Sequence, residues 1–274
     1  MHVLKDKKLY TVLLLWANIA SVPFVRAQEK PASEAQELAV KLSNPVASLI
    51  SVPLQSNVDY EIGLYHGSKY TLNFQPVVPF QLSGKLNLIT RYIIPIIDQQ
   101  NIKAEGSREF GLSDATISGF VSPAAGNNGW MWGAGSAFLI PMGTDDLLST
   151  RKWGAGPTAL LLRQASGLTY GFLVNQLWSF AGDKDRDELN QMFLQPFFAY
   201  NWKSGAGITI NSEMTFNWQA GMTTAFLIPT LSGVTTLGQQ AISLAVGPRI
   251  PLGGPAESRS DFGLRGVLTF VFPQ

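Results

Sequence analysis

The sequence contains no cysteine and only two histidines among its 274 residues. Without cysteine the chain can form neither a lipoprotein anchor, nor a disulfide framework, nor a zinc or iron–sulfur site built on thiolates. An acyl hydrolase would need a histidine beside a serine nucleophile. His2 lies in the N-terminal segment that is interpreted below as an export signal, so His66 is the remaining candidate. Ser68 lies two residues from it, but a pair at this spacing in a turn seldom forms a dyad. The sequence therefore predicts that the protein is not an enzyme and holds no cofactor.

Long apolar runs and charge are also scarce. After residue 27 no stretch approaches the ~18 apolar residues that identify a membrane-spanning helix. Charged residues make up 14% of the chain, whereas hydrophobic residues make up 46% and aromatic residues 11%. The acidic run Asp183–Glu188 lacks the glycine and the distal glutamate of a calcium loop, so we interpret it as a solvated external loop and predict no metal site.

Residues 1–27 have the pattern of an export signal. A lysine-rich start precedes an apolar stretch over 9–20, and Ala27 is the small residue that signal peptidase prefers. An uncleaved anchor is the alternative, but a span needs roughly 20 apolar residues. Cleavage after Ala27 removes four of the 20 basic residues and one of the 19 acidic ones, and the remaining 16 and 18 give a net charge of −2. This charge provides no electrostatic footprint for nucleic acid.

Most of the remaining chain alternates apolar with polar residues. Over 208–218, threonine, asparagine and glutamate alternate with isoleucine, methionine, phenylalanine and tryptophan. A period of two places these sets on opposite faces of a strand. Because the chain is exported, we expect the apolar face to contact lipid, as in an all-β, transmembrane, antiparallel up-and-down barrel of the bacterial outer membrane.

The alternation predicts about twelve strands, in which short connections alternate with longer ones. An even number of strands places both termini on the same side of the membrane. We therefore predict a signal peptide over 1–27, a periplasmic or plug segment over 28–56 and a barrel over 57–274. The strands are expected at 57–65, 71–82, 87–97, 111–122, 130–142, 152–165, 168–181, 188–202, 205–219, 222–237, 240–252 and 261–272.

Six tryptophans fall near predicted strand ends, which favours two aromatic girdles at the membrane interfaces. Ordinary packing of aromatic side chains in strands is the alternative. We expect one girdle at Trp153, Trp178 and Trp218, and the other at Trp130, Trp132 and Trp202.

The segment before the barrel begins with a helix signal. Ser33 and Gln36 form a capping-box pattern, and an apolar stripe follows until Asn44 and Pro45 end the helix. A helix of about ten residues could plug the lumen or pad the barrel rim, and the sequence leaves both possibilities open.

Polar residues of the predicted strands should line the lumen. A twelve-stranded barrel lies between filled eight-stranded barrels and porins with an aqueous channel, so a narrow pore is possible. The same charges could instead pair across the lumen and hold a closed barrel together. The predicted lining residues are Arg91, Asp114, Arg163, Asn175, Gln195, Asn211, Glu213, Arg249 and Arg265.

Several stretches together resemble a known family. They are Asn44–Asn57, Tyr70–Phe80, Trp132–Gly135, Lys152–Thr158 and Leu177–Asp183. They are similar to Gram-negative outer-membrane barrels related to the "meta-pathway of phenol degradation" proteins, which are described as transporters and sometimes carry the label neuromedin U. The resemblance implies an outer-membrane barrel that passes small organic molecules, and it supplies neither catalytic residues nor a solute.

The predicted function is therefore an outer-membrane channel or transporter for small organic solutes, including aromatic or hydrophobic ones. A structural or surface-interaction barrel is the alternative, and a lipid-modifying enzyme built around His66 is a weaker one. The expected partners are membrane lipid, the solute and the outer-membrane assembly machinery. That machinery often recognises a terminal aromatic, whereas here Phe272 is followed by Pro273 and Gln274.

Overall fold

The computed structural model describes residues 33–272 and contains one helix and fourteen strands over that range. The predicted signal peptide over 1–27 lies outside the described residues. The elements are α1 (Glu34–Leu42), β1 (Ile50–Ile62), β2 (Gly67–Phe74), β3 (Val77–Gln81), β4 (Leu86–Gln100), β5 (Arg108–Leu112), β6 (Ala115–Pro123), β7 (Trp130–Ile140), β8 (Lys152–Ala165), β9 (Leu168–Gly182), β10 (Asn190–Asn201), β11 (Ala206–Asn217), β12 (Met222–Leu237), β13 (Gln240–Gly253) and β14 (Phe262–Phe272).

The strands form a closed antiparallel barrel. From β6 to β14 each strand pairs with the next one in the chain, and β1 pairs with β14 from Ile50 opposite Phe272 to Tyr60 opposite Phe262. β2 and β3 pair with successive parts of β4 on one side, and β5 and β6 do so on the other. Each of these two pairs makes one interrupted barrel strand, so the fourteen strands form a twelve-stranded barrel. The predicted fold is confirmed.

Three of the predicted strands differ in detail. The first strand begins at Ile50 rather than at 57, because the period of two extends back through Ile50, Val52 and Leu54. The second predicted strand is interrupted at Gln75 and Pro76, since proline has no N–H to donate to the ladder. The fourth, expected at 111–122, is interrupted at Ser113 and Asp114.

The connections differ in length at the two ends of the barrel. The end that we call the turn end has connections at 82–85, 124–129, 166–167, 202–205 and 238–239. The end that we call the loop end has connections at 63–66, 101–107, 141–151, 183–189, 218–221 and 254–261.

The helix lies at the turn end and begins as the sequence predicts. The Ser33 hydroxyl accepts a hydrogen bond from the Gln36 N–H at 3.2 Å and caps the helix. The Gln36 side chain does not complete the capping box. Its amide instead donates to the Asn201 carbonyl at 2.7 Å and ties α1 to the barrel. Within residues 33–272 no helix is long and apolar enough to cross a membrane.

The outer surface carries the apolar face of the strands, as expected from the alternation. Leu231 and Val246, for example, are 62% and 63% exposed. Met214 also belongs to the outward set of β11 but is fully buried, because Met192, Leu194 and Phe216 cover it. The expectation that Met214 contacts lipid is therefore wrong, although its strand faces the way the sequence predicts.

Candidate functional site

Among residues 33–272, a cavity lies inside the barrel at each of its ends. The cavity at the loop end has a volume of about 460 Å³, and the one at the turn end has a volume of about 260 Å³. The two cavities share five lining residues near the middle of the barrel, all with amide or guanidinium side chains. We call this set the polar ring, and it consists of Gln55, Gln75, Arg91, Gln195 and Arg265.

Arg265 is the most extensively bonded member of the polar ring. Its Nη1 and Nη2 donate to the two carboxylate oxygens of Glu213 at 2.6 and 2.9 Å, and its Nε donates to Asn57 Oδ1 at 2.7 Å. Paired hydrogen bonds between guanidinium and carboxylate fix both groups in position. Arg91 has a neutral partner instead, since its Nη2 donates to Gln75 Oε1 at 3.0 Å.

A second charged group lies at the same level of four neighbouring strands, on the loop-end side of the polar ring. Lys69 pairs in register with Asp59, Asp59 with Gly263, and Gly263 with Arg249. The Arg249 guanidinium forms an ion pair with Asp59 and lies over the Phe226 ring, with Cζ 3.3 Å from the centroid. A Cβ at Gly263 would lie 2.5 Å from Asp59 Oδ1, so this contact requires glycine there.

Basic side chains outnumber acidic ones along the two cavities. Five basic and two acidic residues line them. Among the described residues, neither Lys69 nor Arg91 takes part in an ion pair, so their charges are not neutralised by a direct partner. The lining basic residues are Lys41, Lys69, Arg91, Arg249 and Arg265, and the acidic ones are Asp59 and Glu213.

The wall of the barrel interior that lies opposite the charged strands β13, β14, β1 and β2 is apolar. A buried cluster runs along the inner face of β4 and β6 to β10, and the N-terminal segment adds Val46, which is 1% exposed. Gly133 makes room for it, because a Cβ there would lie 3.2 Å from Val46 Cγ1. The buried members of this apolar wall are Val46, Ile89, Phe120, Leu160, Leu162, Leu173 and Phe197.

The N-terminal segment contributes to the turn-end cavity. Residues of α1 and of the stretch that follows it line this cavity. The Gln164 side chain donates to the Val40 carbonyl at 2.8 Å, and the Asn201 side chain donates to Ser43 Oγ at 3.0 Å. The segment thus occupies part of the lumen at the turn end and is hydrogen-bonded to the inner wall.

Seven of the nine predicted lining residues line these cavities, and Asp114 and Arg163 do not. Asp114 lies in the break between β5 and β6, where its carboxylate accepts hydrogen bonds from Ser149 Oγ at 2.6 Å and Thr150 N at 2.7 Å. Its role is therefore to anchor the loop 141–151. The seven that line the cavities are Arg91, Asn175, Gln195, Asn211, Glu213, Arg249 and Arg265.

Arg163 lies on the outer face of β8, because Leu160 and Leu162 take the inward positions against the apolar wall. Its guanidinium lies over the Trp130 ring, with Cζ 5.7 Å from the centroid. Such a contact suits a long basic side chain near the membrane interface. Arg163 is thus corrected from an inward to an outward residue.

Sequence reasoning missed Gln55, Asp59, Lys69 and Gln75. The signal is present in β2 and the residue after it, where Lys69, Thr71, Asn73 and Gln75 alternate with larger, more apolar side chains. Gln55 lies before the predicted start of the barrel at 57, within the predicted periplasmic or plug segment over 28–56.

All six predicted girdle tryptophans lie on the outer surface, with between 42% and 47% of each exposed. Trp218 also donates from Nε1 to Gln176 Oε1 at 3.0 Å. Their strand positions place Trp153, Trp178 and Trp218 at the loop end and Trp130, Trp132 and Trp202 at the turn end.

The loops at the loop end are tied to the barrel by polar contacts. The buried Lys152 ammonium contacts Glu188 Oε1 at 2.9 Å, and the Ser179 hydroxyl donates to the other carboxylate oxygen. These hydrogen bonds, first from Ser179 and then from Lys152, hold the pKa of Glu188 below its ordinary value. His66 lies in the turn 63–66, where its Nδ1 is 2.6 Å from Glu61 Oε2 and its side chain is exposed.

Comparison with known proteins identifies the fold. No model of a known protein family matches the chain, and no curated protein matches it in sequence. An outer membrane channel from Pseudomonas putida F1 is similar in structure, with a TM-score of 0.65 and 12% identity over 92% of this chain and 100% of that one. The chain has the fold of an outer-membrane barrel.

Two further structures are less similar. The outer membrane phospholipase A of Escherichia coli has a TM-score of 0.45 and 12% identity over 81% of this chain and 96% of that one. The calcium-bound phospholipase dimer of Salmonella typhi has a TM-score of 0.44 and 12% identity over 89% and 99%. At these scores the two phospholipases carry no argument about the function of this barrel.

Proposed function

We propose that the protein is a channel in the outer membrane of a Gram-negative bacterium and passes small organic solutes, with a preference for anions. The observation that carries the proposal is the polar ring, whose side chains line the cavities at both ends of a closed barrel. Hydrogen-bonding groups and charges that line a pore determine which solutes pass, and basic side chains outnumber acidic ones here. The apolar wall adds a surface for the aromatic or hydrophobic part of a solute.

Single-channel recording in a planar bilayer tests this proposal. Refolded protein should give steady openings, and a potassium chloride gradient should give a reversal potential that indicates chloride preference. Heat modifiability on a gel serves as the control that the barrel has folded. A folded barrel that remains silent at all voltages would contradict the channel.

A non-conducting structural barrel is the second candidate. Two observations favour it: Val46 of the N-terminal segment packs against the apolar wall inside the lumen, and the ion pair between Arg265 and Glu213 ties two parts of the barrel wall together. Silence in the bilayer together with a raised thermal stability of the intact barrel relative to a variant without α1 would support this candidate.

A further inference from the structure

The loop-end cavity has a cationic side that faces an apolar side. Lys69 on β2 and Arg249 on β13 both line this cavity, with Asp59 between them in register. Asp59 neutralises only one of these two charges through its ion pair with Arg249. The group therefore has one cation in excess at the wall of the cavity.

Two hydrogen-bond donors of this cavity are buried without a partner. Arg249 Nε and Ser260 Oγ make no hydrogen bond among the described residues, and Ser260 as a whole is 2% exposed. The Asp261 N–H donates to the Tyr60 carbonyl at 3.1 Å, which places Ser260 beside the strand that carries Asp59. Buried polar groups are usually paired, so these two donors keep unused hydrogen-bonding capacity beside the cavity.

The other side of the cavity suits a hydrocarbon group. The lining residues of β6, β9 and β10 include phenylalanine and leucine side chains, and Phe226 adds an apolar surface beneath the Arg249 guanidinium on the cationic side. A volume of about 460 Å³ accommodates a small ligand of this kind. The phenylalanine and leucine residues of this lining are Phe120, Leu173, Leu177, Phe193 and Phe226.

We infer that the loop-end cavity is a binding site for a small monocarboxylate with an apolar body, whose carboxylate lies at Lys69, Arg249 and Ser260. A carboxylate offers two oxygens that accept several hydrogen bonds, which matches the excess cation and the two unpaired donors. The apolar side gives no advantage to an inorganic anion. The role of this cavity as the selective entry site of the channel rests on the proposed function. Binding of the monocarboxylate is measured without any conductance.

Isothermal titration of the assembled barrel in lipid nanodiscs tests the site with three probes. Hexanoate has both features of the ligand, hexanamide lacks the charge and acetate lacks the apolar body. Hexanoate should bind at least about tenfold more tightly than either, because each removes one set of contacts. Equal affinity for hexanoate and acetate, or for hexanoate and hexanamide, would overturn the inference.

Two variants locate the carboxylate, and a third serves as the control. Lys69→Met removes a charge that has no ion-pair partner, and it should weaken hexanoate binding about tenfold while leaving hexanamide unchanged. Ser260→Ala should weaken hexanoate binding by a smaller factor without destabilising the barrel, since its hydroxyl is unpaired. Lys85→Met removes an exposed charge at the turn end and should have no effect. Unchanged hexanoate binding in both Lys69→Met and Ser260→Ala would place the carboxylate elsewhere.

Conductance of the wild-type barrel separates this inference from the proposed function. A barrel that conducts but does not bind hexanoate would overturn the binding site and leave the channel standing. A barrel that binds hexanoate in the manner described but never conducts would support the site and contradict the channel.

Discussion

Arg265 reaches from β14 across two intervening strands to form a bidentate ion pair with Glu213 on β11, with distances of 2.6 and 2.9 Å. The intervening inward position on β13 is Gly247, which pairs in register with Arg265 and has no side chain to obstruct the path. The Arg265 side chain is only 4% exposed. The pair thus holds one guanidinium of the polar ring against the wall instead of leaving it free in the lumen.

Replacing Glu213 with glutamine should increase the preference for anions. The substitution removes one of the two acidic groups of the lining and releases Arg265 from its charged partner. The reversal potential in a potassium chloride gradient should move further toward that of chloride. The free energy of unfolding should fall by about 2 kcal/mol, because hydrogen bonds between charged groups are lost.

Glu105→Gln is the matched control. Glu105 is exposed in the loop 101–107, so this substitution makes the same chemical change outside the cavities. An identical reversal potential in Glu213→Gln and in the wild type would show that this carboxylate does not face the conducting path.

The course of the strands could be predicted from sequence because it depends on local information. Alternation along one strand and the length of each connection are both properties of neighbouring residues. Glu213 and Asn211 were assigned to the lumen in this way, and both line a cavity.

The composition of the interior could not be predicted in the same way. The prediction assumed that every polar face points inward, whereas Leu160 and Leu162 point inward because Val46 and other strands provide an apolar wall. These contacts join residues far apart in the chain, so the pattern of β8 alone does not reveal them. Arg163 was misplaced for this reason.

Removing the helix should open the turn end of the lumen. α1 is tied to the barrel by hydrogen bonds such as that from Gln36 to Asn201, whereas the barrel itself closes through β1 and β14. Deletion of 33–43 should therefore raise single-channel conductance while leaving heat modifiability intact. Gln36→Ala removes one tether only and should give a smaller or intermittent increase.

Unchanged conductance in the deletion variant would assign α1 to the rim, outside the path of the solute. Loss of heat modifiability would instead show that the barrel needs the helix to assemble.

Two adjacent residues of β13 test which face of the sheet contacts lipid. Ala245 lines the turn-end cavity, whereas Val246 points outward and is 63% exposed near the middle of the strand. Arginine on the lipid face near the bilayer midplane costs roughly 2–4 kcal/mol, whereas inside the lumen it meets water and polar groups. Val246→Arg should therefore impair assembly, measured by heat modifiability and by unfolding in lipid. Ala245→Arg should assemble, with a lower conductance and a stronger chloride preference.

Met214 is unsuitable for this comparison because its neighbours bury it completely, so arginine there would report on packing instead of on lipid. If Val246→Arg assembles normally and Ala245→Arg does not, the two faces of β13 must be exchanged, since a shift of one residue moves every side chain of a strand to the opposite face.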